Sequence, residues 1–149
     1  MSPLRHLVHL SRRFFTSLSR REPSVAETAW ADSHLLDGES VLWHRMAVSD
    51  RRHSIMVARR FESRGGPWSR DAMAGALLHD VGKLESGLGT LGRVVATIAG
   101  PRTDRFRRYD DHERRGAELL VGAGSSDITI ELVLGQGRAA SALREADDI

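Results

Sequence analysis

Apolar residues recur at three- and four-residue intervals along most of this chain, in segments separated by Gly, Pro, Ser and Asp. That spacing predicts a succession of short amphipathic helices. From Pro3 to Arg21, Leu4, Leu7, Val8, Phe14, Phe15 and Leu18 share one face, with Arg5, Arg12, Arg13 and Arg20 elsewhere. Glu22-Pro23-Ser24 breaks the chain, and Ser24 is an N-cap for a helix through about His34. Asp37-Gly38 marks a turn before a short helix from Glu39 to Met46. Ser49-Asp50 caps another, running to about Arg64 with Ile55, Met56, Val57 and Phe61 inward, until Gly65-Gly66-Pro67 stops it. Ser69 caps the next, whose apolar positions are Ala72, Met73, Ala76, Leu77 and Leu78. Further helices are expected from Gly87 to Ile98 and from Asp110 to Val121. One more runs from Ser126 or Asp127 through Leu134, and the last from Arg138 into Asp147-Asp148-Ile149. The β-branched residues between Asp127 and Val133 read better as a helix between glycines than as a strand. The expected fold class is all-α.

With 149 residues there is room for one core. The expected division is a basic amphipathic helix over 1–22 and a bundle of short helices over 24–149. The chain has no internal repeat or low-complexity block, and no cysteine. Disulfides, thiolate metal sites and thiol nucleophiles are therefore excluded, and a reducing cytoplasm suits such a chain. No apolar run approaches the roughly 18 residues of a membrane span. Residues 1–70 carry 12 Arg against 7 acids, a net of +5; residues 71–149 carry 10 Lys or Arg against 13 acids, a net of −3. A basic end can serve nucleic acid, but a solvated Arg-rich surface explains so modest an excess better. Residues 3–21 admit three readings: a targeting presequence, a helix on a membrane surface, or a helix docked on the following domain or a partner protein.

The densest chemistry lies in Leu77-Leu78-His79-Asp80-Val81-Gly82-Lys83, where a helix gives way to a turn. His79 and Asp80 offer an imidazole nitrogen and a carboxylate oxygen, both ligands for a divalent metal. Gly82 relieves the turn's backbone. Lys83 is the single lysine beside 21 arginines, which suggests a site for a compact point charge rather than a planar fork. His53 follows Asp50-Arg51-Arg52 in mid-helix, His112 opens a helix behind Asp110-Asp111, and Asp147-Asp148 sit in the last helix. Taken singly, His6, His9, His34 and His44 read as structural residues, and Asp110-Asp111 as helix-capping acids.

Three pieces taken together resemble the H…HD…D pattern of the HD-domain superfamily of metal-dependent phosphohydrolases. They are Asp50-Arg51-Arg52-His53-Ser54, the His79-Asp80-Val81-Gly82-Lys83 element and Leu143-Arg144-Glu145-Ala146-Asp147. His112-Glu113-Arg114-Arg115-Gly116-Ala117 is similar to a segment of the HDIG and HD-GYP branches, and the resemblance covers about residues 40–149. It implies that His53, His79, Asp80 and Asp147 ligate one divalent metal, which could be Mn, Fe, Mg, Ni or Zn. It further implies that Lys83 neutralises charge on a phosphoryl group, and that His112 holds a second metal, binds substrate or donates a proton. Arg52 is a weaker candidate for a phosphate contact, its alternative being a solvated helix face.

Two departures shape the expectation. The place of further metal-binding histidines in the dinuclear branches is taken by Leu134-Gly135-Gln136-Gly137-Arg138, which favours a mononuclear site. Asp147 lies in a terminal turn, where fraying would let Asp148 or the Ile149 carboxylate share its role. The expected function is hydrolysis of a phosphorylated small molecule or nucleotide. The alternative is a catalytically weak or inactive module that binds a nucleotide or a protein partner for regulation.

Overall fold

The computed structural model describes residues 21–84 and 111–148. Seven α-helices are present there: α1 (Val25–Asp32), α2 (Asp37–Arg45), α3 (Val48–Glu62), α4 (Arg70–Leu77), α5 (Asp111–Gly122), α6 (Asp127–Val133) and α7 (Ala140–Asp147). A 3-10 turn, Val81–Lys83, follows α4, and the described residues contain no strand. The all-α fold is as expected. None of these helices is long and apolar enough to cross a membrane. The amphipathic stretch before Arg21 and the expected helix from Gly87 to Ile98 lie outside the described residues.

Where a cap is local, the sequence places it. The Ser24 hydroxyl accepts from the Glu27 amide at 3.1 Å while the Glu27 carboxylate accepts from the Ser24 amide, a reciprocal box at the start of α1. Ser69 and Ser126 cap α4 and α6 through the hydroxyl alone, which accepts from the Ala72 and Thr129 amides. Three helix starts differ from the sequence reading. Helix α2 begins at Asp37, so Asp37-Gly38 is its first turn and not the turn before it. The acid suits the positive end of the helix dipole. Gly38 is there for space: a Cβ would stand 2.5 Å from the Ala123 carbonyl oxygen. Helix α3 begins at Val48 behind Ala47, which puts Ser49 and Asp50 inside its first turn. The last helix begins at Ala140, two residues later than expected.

Helices α3, α4, α6 and α5 pack in sequence, α7 lies against α3, and α2 touches α5. Trp43, Phe61, Leu77, Leu78, Val81 and Leu120 are fully buried between them. On α3 the inward positions are Ser54, Ile55, Val57, Ala58 and Phe61, while Met56 is only half-buried. Ser54 takes an inward place because its hydroxyl accepts from the Trp43 indole at 2.9 Å and donates to the Arg51 carbonyl. Glu39 is also fully buried. Its carboxylate accepts from the Arg70 guanidinium at 3.0 Å, the Ser125 hydroxyl at 2.7 Å and the Leu36 amide at 2.8 Å. These bonds tie α2 to the start of α4 and the end of α5, and they satisfy a charge that burial would otherwise penalise.

Candidate metal centre

Helix α3 buries the stripe Ser54, Val57, Ala58, Phe61. His53 flanks that stripe, its side chain 12% exposed. Helix α4 ends at Leu77, and the chain turns through His79 and Asp80. The Nδ1–H of His79 donates to the Ala76 carbonyl oxygen at 2.7 Å, which fixes the tautomer and aims Nε2 away from its own helix. Val81 is then buried, and the following turn packs on α5. Gly82 belongs to the described glycines without a positive φ. It therefore serves close approach rather than the backbone relief read from the sequence: a Cβ there would collide with the His112 carbonyl of α5, 2.8 Å from its carbon.

Helix α7 brings the remaining member of the cluster. Ala140, Leu143 and Ala146 are buried on its inward side, where α7 packs on α3. Asp147, in its last turn, puts Oδ1 2.8 Å from His53 Nε2, in a bond the imidazole donates across 94 residues of chain. The same oxygen is 3.6 Å from His79 Nε2, which in turn is 3.5 Å from Asp80 Oδ2. One ligand atom from each of His53, His79 and Asp147 falls within a 4.8 Å span. Donors sharing one ion at about 2.1 Å stand roughly 3.0–3.5 Å apart, so the spacing suits a single small cation. His79 Nε2 is buried and has no partner at hydrogen-bonding distance; two carboxylates stand just beyond it, beside a second imidazole. Two nitrogens and hard oxygens make a donor set for a divalent transition metal.

The expected residues are thus largely brought together. Asp80 stands at the edge of the cluster, where its carboxylate also accepts from Lys83 Nζ at 3.1 Å. Exposed Asp148 lies outside the cluster, and Asp147 alone makes the contact to His53. His112 is not among the clustered ligands but lines the same cavity of about 730 Å³, together with Lys83. Arg52 does not line it. Gly135 reaches the cavity wall, whereas Gln136 lines a different depression beside Trp68. His34 and His44 have structural partners, the Trp30 carbonyl and the Asp32 carboxylate. Arg115 and Arg144 also line the cavity. Their spacing could have found them, since Arg115 follows His112 by three residues and Arg144 precedes Asp147 by three.

The cluster's charges are interdependent. Burial opposes a charged His79, yet the nearby Asp147 and Asp80 and the Ala76 carbonyl outweigh it and raise its pKa above the ordinary 6.5. Burial likewise opposes ionisation of Asp80, but His79 and Lys83 hold its pKa below the ordinary 3.8.

No protein-family model, curated protein or solved structure matches this chain.

Proposed function

We propose that this chain is an HD-type, metal-dependent phosphohydrolase with a mononuclear centre, acting on a phosphorylated small molecule or nucleotide. The observation that carries the reading is the buried Nε2 of His79, without a hydrogen-bond partner and set beside Asp147 and His53 while Nδ1 is held by the Ala76 carbonyl. His53, His79 and Asp147 would hold the ion, with Asp80 completing the set. A divalent ion there supplies Lewis acidity and lowers the pKa of water toward neutrality.

The chain's own groups do the rest. Lys83 would place its ammonium against the phosphoryl oxygens, while its contact at 3.1 Å keeps Asp80 ionised. The buried packing of Val81 and the seating of Gly82 on α5 fix the turn that carries both residues. His112, which lines the same cavity, would give the leaving oxygen its proton as the ester bond breaks. The turning of Gln136 toward another depression supports one metal rather than two.

Elemental analysis of the purified protein beside Asp80→Ala and Asp147→Asn tests the premise. About one equivalent of a transition metal in the wild type, reduced in both variants, is expected, with phosphoester hydrolysis lost alongside it. A metal-replete wild type inert toward a broad panel of nucleotides and phosphoesters would overturn the catalytic reading. Nucleotide binding that survives metal stripping would replace it with the regulatory module, to which the lack of a second-metal imidazole also points.

A further inference from the structure

The cavity beside the candidate metal centre extends well beyond what one phosphoryl group fills. Its cationic groups are unevenly placed. Lys83 stands at the Asp80 end and is already paired with that carboxylate. Arg144 lines the cavity one helical turn before Asp147 on α7, a rise of about 4.5 Å. Its neighbour Glu145 faces elsewhere, to Arg64 at 3.4 Å. Among the described residues Arg144 makes no ion pair and no side-chain hydrogen bond. Arg115, on α5, lines the same space one turn beyond His112. Guanidinium groups present paired donors matched to phosphate and carboxylate oxygens, which the ammonium of a lysine does not.

We propose that Arg144 binds a second anionic group of the substrate, next to the phosphoryl group held at the Asp80–Asp147 end, with Arg115 lining the same cavity. The substrate then belongs to a narrower class: a diphosphate, or a phosphate with a carboxylate close by. Arg144 is a specificity residue in this scheme and ligates nothing. A substrate with a single anion would leave its guanidinium in water, so the residue contributes to binding only when the second group is present. The inference rests on the site proposed above but not on turnover.

Binding of three inert probes to the metal-loaded and metal-stripped protein, read by titration calorimetry, provides the test. Methylenediphosphonate and phosphonoacetate carry two anionic groups, and methylphosphonate carries one. Arg144→Gln should weaken one or both of the first two by about tenfold or more and methylphosphonate by less than threefold. Arg144→Lys should restore only part of the loss. The first two probes also distinguish a phosphate from a carboxylate at the second position. Because Arg144 is exposed and holds no metal, the metal content and melting temperature of the variant should equal those of the wild type. An equal loss for all three probes, no loss for any, or failure of the wild type to bind either two-anion probe would overturn the inference. Hydrolysis of a phosphoester that carries a second anionic group, unaffected by Arg144→Gln, would sink this inference and leave the phosphohydrolase reading intact. Arg144-dependent probe binding in a protein that takes up no metal would do the reverse.

Discussion

Replacing Gly82 by alanine tests the geometry on which the site depends. The added methyl carbon would lie 2.8 Å from the His112 carbonyl carbon and 3.1 Å from the Gly116 amide nitrogen, with the His112 oxygen nearer still. Carbon atoms in contact sit about 3.5–4.0 Å apart, so the overlap with the carbonyl carbon is roughly 0.7–1.2 Å. Every atom met is backbone, and neither the turn nor α5 can yield by rotating a side chain. Overpacking of a core costs about 1–3 kcal/mol, and a clash between two backbones belongs at the upper end, about 3 kcal/mol. An unfolding entropy of about 2.1 cal/mol/K per residue gives roughly 0.3 kcal/mol/K for the chain, hence a fall in melting temperature of about 10 °C. Circular dichroism melts would read it. Gly116→Ala is the control, since its Cβ meets the Val133 methyl at 3.3 Å, a group that can give way. It should cost less than about 1 kcal/mol. The shift in Gly82→Ala should also move Asp80 and Lys83 and weaken metal uptake. A Gly82→Ala protein melting within about 3 °C of wild type, or no lower than Gly116→Ala, would refute the packing of the turn on α5.

Metal uptake should release protons, because an ion would displace the proton that the neighbouring carboxylates hold on His79. Affinity should then tighten as pH rises through and above 6.5, the ordinary value beneath His79's raised pKa; a constant affinity between about pH 6 and 8 would contradict this. Without metal the sign reverses. The raised pKa of His79 contributes stability that is fully present below 6.5 and lost as pH climbs through its folded value. The depressed pKa of Asp80 contributes stability that is present above 3.8 and lost as pH falls through its folded value. Urea midpoints of stripped protein should therefore be highest between these limits, and His79→Gln should flatten the alkaline side. Glu39→Ala removes the acceptor for Arg70, Ser125 and the Leu36 amide. It should cost about 3 kcal/mol, while Glu39→Gln keeps part of the network and should cost about half of that. Urea unfolding at wild-type midpoints for both would show the network to be incidental.

The sequence announces what is decided locally. Ser24, Ser69 and Ser126 cap their helices through bonds spanning three residues, and the adjacency of His79 and Asp80 needs no tertiary information. Helices α2 and α3 start where no side chain caps them, behind Leu36 and Ala47, so the nearby polar residues point to the wrong position. The Leu36 amide is instead satisfied by Glu39, whose burial depends on partners 31 and 86 residues away. Nothing local separates such a glutamate from a solvated one. Met56 illustrates the converse: its apolar character suggests an inward place, but α3 turns Ser54 inward because Trp43 offers an indole N–H. Gly82 was visible as a glycine, yet its reason is a carbonyl on α5, thirty residues on. With 94 residues between them, His53 and Asp147 are linked in the sequence only by resemblance to a known spacing pattern.

The cluster itself sets a physical constraint on what the site can do. Asp80, Asp147, His53 and His79 are drawn out of water by α3, α4 and α7, and isolated charges there would be costly. The arrangement has two ways to be satisfied. Protons shared among the four leave His53 bonded to Asp147 and His79 flanked by carboxylates. A divalent ion would satisfy the same atoms by replacing those protons. The exchange is therefore between pH and metal, acting on one set of donors. Because Asp147 sits on the last described helix and His53 on α3, either form of satisfaction also ties α7 to the bundle. Docking of α7 and occupancy of the site would then be a single equilibrium: an ion bound by both helices would resist the separation of α7 by as much as its affinity depends on Asp147. Asp147→Asn, which retains the shape but not the charge, should loosen α7 and weaken metal binding together; amide exchange over Ala140–Asp147 that stays unchanged on metal addition would show that the two are not coupled.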